Sequence, residues 1–255
     1  MMKSVVIIPA RYKSSRFPGK PLVPLLGKPM ILWVAELSAM ALGKESVFIA
    51  TEDERIAQTV EGAGFRSIMT SEEALTGTDR LAEAAKQIDA DIYLNVQGDE
   101  PLLNPDDIRK ILSVKQKYPN DIINGYCKVG QNEDPNSVNI PKVIFNEDGR
   151  MVYMSRQKLP GYKDSQNKPI SYYKQVCIYA FSLSDLTRYS SFGRKSTLER
   201  SEDIEILRFL EWGTTIRMVE TSTGSLAVDV PADVIVVEAM MKKQNHLTKS
   251  AKSSS

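Results

Sequence analysis

The chain has 255 residues, 42% of them apolar and 25% charged, with 33 basic against 32 acidic side chains and a formal charge of +1. That length buries a full core in one large α/β unit, and so balanced a charge argues against a general nucleic-acid binder, so any anion site must be local. With Cys127 and Cys177 far apart, no CxxC, no signal-peptide pattern and no apolar run able to cross a bilayer, a soluble cytoplasmic protein without membrane insertion is expected.

"SVVIIPA" at 4–10 reads as a buried parallel strand ended by proline, and "KPMILWVAELSAMALG" at 28–43 as a helix closing on glycine. "SVFIAT" at 46–51 is a second strand. The following helix is capped by Asp53 and stops at Gly62 or Gly64. "SIMT" is a third strand, "TGTDRLAEAAKQI" a helix, "DIYLNVQGDEP" a strand with its loop, and "NPDDIRKILSVKQKY" a helix capped by Asn104 or Asp106. Such alternation predicts βαβ crossovers and a mostly parallel sheet with helices on both faces. From 121 to 182 the pattern turns β-rich ("KVIFNEDGRMVYMS", "YYKQVCIYAF") around a polar loop at 161–171, which predicts a smaller antiparallel lobe. "SEDIEILRFLEWG" at 201–213 predicts one helix, "TIRMVET" a strand and "AVDVPADVIVVEAMMKK" a loop and a final helix. The α/β core is thus expected over 1–120 and 183–245, with a flexible polar tail at 246–255.

The chain's one histidine, His246, falls in that tail, which argues against Ser-His-Asp, Cys-His and histidine-rich zinc chemistry. Cys177, inside an apolar run, reads as a buried small residue rather than a nucleophile. Ligands of open parallel sheets bind beyond the carboxyl ends of the strands, which points to the loops after 4–10 and 91–97. The first, "PARYKSSRFPGKPL", is not a Walker loop: Ser14 stands where the pattern needs glycine, and Pro21 where it needs a hydroxyl. Its Arg11, Lys13, Arg16, Lys20 and nearby Lys28, with Ser14 and Ser15 as further donors, suit consecutive phosphates, against the alternative of a solvated basic loop. In the second, Asp99 of "NVQGDEP" could share a magnesium ion with Asp229 of "VDVPAD", or be a turn aspartate. "TGTDRLAE" suits a base or ribose, or is simply a capped helix start.

In order along the chain, "IIPARYKSSRFPGKPL", "GKPMI", "ATEDERI", "GTDRLAE", "NVQGDEP" and "VDVPAD" resemble the 3-deoxy-manno-octulosonate (Kdo) cytidylyltransferases, over residues 3 to about 240. The resemblance implies a Rossmann-like nucleotidyltransferase fold and a homodimer formed through the smaller lobe. It also implies Mg2+-dependent transfer of CMP from CTP to a sugar acid for a cell-surface glycan, with release of pyrophosphate. It places Arg11, Lys20 and Asp99 in catalysis and makes Asp99 and Asp229 the metal carboxylates. CTP would meet Pro9, Ala10, Arg11, Ser14, Arg16, Lys20, Gly77, Thr78, Arg80 and Gln97, and the acceptor would meet Arg156, Gln175, Tyr179, Glu205 and Arg208.

The acceptor half departs from the family pattern. "KQVCIY" has Gln175 in the place of a histidine and Cys177 in that of a glycine, "IEILR" has Ile206 where glutamine is expected, and "VDVPAD" lacks the usual threonine and glutamate. Sites that hydrogen-bond a polar substrate discriminate strongly against analogues, so these departures raise a changed acceptor: 8-amino-Kdo, another ulosonic acid, or a hydroxy or phosphonic acid. A CTP-binding paralogue without turnover is the alternative from another class, and intact Lys20, Asp99 and Asp229 argue against it.

Overall fold

Residues 2–13, 17–131, 133–222 and 226–252 are described by a computed structural model, with side chains through Lys243. In chain order the first half comprises β1 Ser4–Ala10, β2 Pro24–Leu25, β3 Lys28–Pro29, α1 Met30–Leu42, β4 Val47–Thr51, α2 Glu54–Gly62, β5 Arg66–Met69, α3 Gly77–Ala85, β6 Ile92–Val96 and α4 Pro105–Lys117. The second half comprises β7 Ile122–Lys128, β8 Lys142–Phe145, β9 Met151–Ser155, β10 Tyr173–Phe181, α5 Leu183–Ser191, α6 Thr197–Glu202, α7 Leu207–Glu211, β11 Ile216–Glu220 and α8 Pro231–Lys252.

The helix starts follow their local chemistry. Asp53 accepts from the Arg55 amide at the start of α2, Thr76 from Asp79 at α3, and Asn104, with Pro105 behind it, from Asp106 at α4. Along β1 the side chains alternate between two cores. Val6 and Ile8 face a cluster with Ile31, Val34, Ile108 and Ile111 from α1 and α4, while Val5 and Ile7 face Leu81, Phe181, Tyr189 and Phe209 on the other side. A strand buried on both faces must be apolar throughout, which is why 5–8 reads as one hydrophobic run. Each such side chain contributes about 1.5–3 kcal/mol by leaving water.

The main sheet runs β11-β7-β10-β6-β1-β4-β5. β6, β1, β4 and β5 are mutually parallel, β11 is parallel to β7, and β10 is antiparallel to both β6 and β7. This reversal positions the site: the beginning of β10 lies at the same edge as the carboxyl ends of β1 and β6, with Ile178 opposite Val96.

Three expectations change. The β-rich stretch 121–182 is not a separate lobe, because β7 and β10 lie inside the main sheet and only the β8–β9 hairpin extends from it, through Lys174 opposite Lys142. The helix expected over 201–213 is two short helices, α6 and α7, broken at Asp203, whose φ of 51° leaves the right-handed helical region. Backbone helix continues through 246–252, where a tail was expected, as the end of α8. Earlier in α8, Val237 and Met241 are buried with Leu25, Met30 and Val228.

Candidate functional site

β1 delivers Pro9, Ala10 and Arg11 to the carboxyl edge of the sheet, and the loop then folds back on itself. The Gly19 amide donates to the Tyr12 carbonyl at 2.9 Å, with Gly19 at a φ of 70°. A Cβ at Gly19 would stand 3.1 Å from Tyr12 Cζ, so glycine meets both a backbone and a steric demand here. Gly19 leads into a 3-10 turn over Lys20–Leu22, which aims Lys20 inward. Lys20 Nζ lies 2.6 Å from Asp99 Oδ2 and 3.7 Å from Asp229 Oδ1.

The two aspartates come from distant segments joined by backbone: the Val228 amide donates to the Asp99 carbonyl at 2.9 Å, and the Asp229 amide to the Asp233 carboxylate at 2.8 Å. Ahead of Asp99 the chain passes close under β1, since a Cβ on Gly98 would sit 3.2 Å from the Pro9 carbonyl oxygen. Two hard oxygen donors thus converge on one cationic centre, the donor type that magnesium takes. Among the described residues there is no group of three or more His, Cys, Asp and Glu able to hold a metal, so such an ion would complete its shell with water and substrate oxygens.

These residues open into a crevice of about 700 Å³. Of the expected CTP set, Pro9, Ala10, Arg11, Lys20, Gly77, Arg80 and Gln97 line it. Ser14 and Arg16 lie outside the described residues. Lys13 does not join the cluster; it pairs with Glu72 on the surface at 2.6 Å. Lys28 turns away too, pairing with Glu36 and lying 3.5 Å over the Trp33 ring.

At the start of α3 the Gly77 and Thr78 amides donate to the Glu205 carboxylate at 3.0 and 2.8 Å, and so does the Thr78 hydroxyl. Glu205 lines the crevice, but its bonds make it the anionic cap of α3. Burial holds its carboxyl above the usual range, and the Thr78 and Gly77 bonds oppose that. Thr78 is turned to Glu205 rather than to the crevice. The guanidinium of Arg80 is ion-paired with Glu52 at 3.0 Å, and burial pulls its pKa down.

On the acceptor side, Arg156, Gln175, Cys177 and Tyr179 line the crevice. Arg156 bonds three carbonyls, those of Glu202, Val138 and Asp203, and so ties the segment after β9 to the end of α6 and to the loop at Val138. Burial pushes the Cys177 thiol and the Tyr179 hydroxyl well up, so Cys177 is a neutral wall residue rather than a thiolate.

Arg208 is a correction. It is fully buried, bonds the Glu199 carboxylate twice at 2.7 Å and the Tyr189 carbonyl at 3.0 Å, and does not reach the crevice. Ile206, 2% exposed, also packs in the core, whereas the departures at Gln175, Cys177 and Val230 face the crevice.

Sequence reasoning missed Glu133, Lys195 and Asp203. Glu133 pairs with Lys174, Lys195 with Asp203 at 2.7 Å, and all four line the crevice. Nothing in their local sequence marks them. A long separation such as 133 to 174 is closed only by the sheet.

Residues 5–216 match the model of the cytidylyltransferase family. Among curated relatives, the 8-amino-3,8-dideoxy-manno-octulosonate cytidylyltransferase of Shewanella baltica (strain OS185) is 37% identical over 241 residues, covering 91% of this chain and 96% of that protein. The protein of the same name from Shewanella sp. (strain W3-18-1) is 40% identical over 243 residues, with the same coverage. Among solved structures, CMP:2-keto-3-deoxy-manno-octonic acid synthetase complexed with CTP superposes with a TM-score of 0.87 at 37% identity, covering 95% of this chain and 99% of that one. With a crevice at the carboxyl edge of the sheet built on the first loop and the QGDEP turn, and with this similarity along nearly its whole length, the chain belongs to the cytidylyltransferase family.

Proposed function

We propose that this cytidylyltransferase transfers CMP from CTP to an octulosonic acid of the Kdo class, with release of pyrophosphate and dependence on Mg2+. The observation that carries the reading is the convergence of Lys20 on Asp99 and Asp229 beside Arg11, at the edge where β10 presents its first residues. When bound at the two aspartates, magnesium supplies Lewis-acid polarisation of the phosphate under attack. Arg11 and Lys20 donate charge-assisted hydrogen bonds to the pyrophosphate oxygens as the bond to the α-phosphorus breaks, while the acceptor hydroxyl oxygen forms its bond to that phosphorus and releases its proton to solvent. Glu205 keeps the first turn of α3 in place, with Gly77 and Arg80 along the nucleoside.

For the acceptor we favour the 8-amino form within this class, a reading that the relatives' names support. The resemblance further supports a cytoplasmic homodimer using the β8–β9 hairpin, whose Val152 is exposed; no helix among the described residues is long and apolar enough to cross a membrane.

The test is pyrophosphate release from CTP and Mg2+ with Kdo, 8-amino-Kdo and nonulosonic acids. The expected result is turnover with an octulosonic acid, fastest with the 8-amino form. CTP binding without pyrophosphate from any acid would overturn the reading in favour of a non-catalytic CTP binder. Asp99→Asn is expected to remove turnover and keep part of the CTP affinity; unchanged turnover would refute the metal assignment.

A further inference from the structure

Glu52 stands just past β4, does not line the crevice, and is 6% exposed at its side chain. Its two carboxylate oxygens reach two different walls of the site. Oε1 accepts the Tyr12 amide at 2.9 Å, one residue after Arg11. Oε2 faces Arg80 Nη2 at 3.0 Å, as a charge contact rather than an aligned hydrogen bond.

Each contact passes inward. Tyr12 is the clasp of the first loop: its carbonyl takes the Gly19 amide, its ring packs close to Gly19, and the Arg55 guanidinium lies 3.4 Å from the ring centroid. Gly19 in turn precedes Lys20. Arg80, held by Glu52 and by the Thr70 hydroxyl, lies on the α3 wall. Arg11 lies close enough to Arg80 to lower its pKa, so these two cations repel, and Glu52 supplies an opposing charge.

The ordinary role of such a group is to cap its own helix. Asp53 does that for α2, accepting from the Arg55 amide, which leaves Glu52 turned inward. A carboxylate buried against a buried arginine, spanning the segment after β1 and the start of α3, sets the distance between the walls.

We propose that Glu52 is a positioning residue for the nucleotide, which uses one carboxylate to hold the triphosphate loop and the nucleoside wall in register. The proposal rests on the CTP reading above. Its specific content is that Glu52 acts through Arg80 and Tyr12, on CTP and not on the acceptor.

The experiment measures CTP dissociation constants by calorimetry with Mg2+, and KM for CTP and for the acceptor, in wild type, Glu52→Gln, Arg80→Gln and the double variant. Glu52→Gln keeps an acceptor for Tyr12 and removes the charge. It is expected to weaken CTP about tenfold, the size of one lost charged contact, with the acceptor KM unchanged. In the Arg80→Gln background the same change is expected to shift CTP affinity by less than about twofold, because the two side chains act as a unit. Glu52→Asp keeps the buried charge, so it guards against an unfolded Glu52→Gln, and its shorter arm is expected to weaken CTP about threefold or more.

CTP affinity within twofold of wild type in both Glu52→Gln and Glu52→Asp overturns the proposal. So does a full tenfold loss repeated in the Arg80→Gln background, or a matching rise in acceptor KM. If wild type binds no CTP, the cytidylyl reading falls first and takes this one with it; if wild type binds CTP and the Glu52 variants match it, only the positioning role is lost.

Discussion

Replacing Arg208 by leucine separates a buried structural charge from an acceptor contact. The guanidinium has no solvent exposure, and the Glu199 side chain is 1% exposed. In the variant Glu199 keeps the Tyr189 hydroxyl at 2.9 Å and the Ser196 amide at 2.9 Å but loses its counter-charge. Burial by itself lowers the Arg208 pKa, and the Glu199 bonds together with the Tyr189 and Asp79 interactions outweigh that and hold the cation charged. Removing one member of a buried pair costs about 3–5 kcal/mol, a large share of a typical stability of about 5–15 kcal/mol. At about 2–4 °C per kcal/mol for a chain of this size, the midpoint should fall by roughly 6–20 °C. Urea titration with thermal scans measures this, and Arg208→Leu/Glu199→Leu should recover only part of the loss, because Asp79, 3.4 Å from the guanidinium, also loses its counter-charge. In the folded fraction, acceptor KM should stay at the wild-type value. A loss below about 1 kcal/mol together with a raised acceptor KM would refute the argument and return Arg208 to the substrate.

Gly19→Ala should reduce CTP affinity severalfold and stability by about 1 kcal/mol, since it strains a φ of 70° and crowds Tyr12; calorimetry with CTP and a thermal scan check both. Cys127 is 2% exposed, and burial pushes its thiol up to about 11. Because the folded form keeps this proton after the unfolded thiol has lost it, stability should fall as pH rises from about 9 to 11, by roughly 2–3 kcal/mol in total. Urea titrations across that range should show a shallower fall in Cys127→Ala; an equal slope in both proteins would rule the cysteine out.

Much of the fold was legible because its signals are local. A double-faced strand has to be apolar throughout, as 5–8 is, and helix starts announce themselves through Asp53, Thr76 and Asn104. The two strand-end loops were legible for the same reason: cations around Gly19 and acids after Gly98 are unusual within a few residues.

The sequence by itself thus determined the alternating core and the strand edge to which the first loop and the QGDEP turn are delivered, and it singled out Lys20, Asp99 and Asp229, which meet there. Tertiary structure alone decided which of the other charges belong there. Lys13 and Lys28 leave the first loop's cluster because Glu72 and Glu36 are within reach of them; Arg208 is drawn into the core by Glu199; and Glu52 turns inward to Tyr12 and Arg80. The reversed direction of β10 brings Lys174, Gln175 and Cys177 to the edge reached by Ala10 and Val96. The physical reason is one of range: capping and hydrophobic periodicity act within one element, whereas the partner of a charge is chosen by strand order and packing, at separations of 8 residues for Lys28 and Glu36, 40 for Tyr12 and Glu52 and 59 for Lys13 and Glu72.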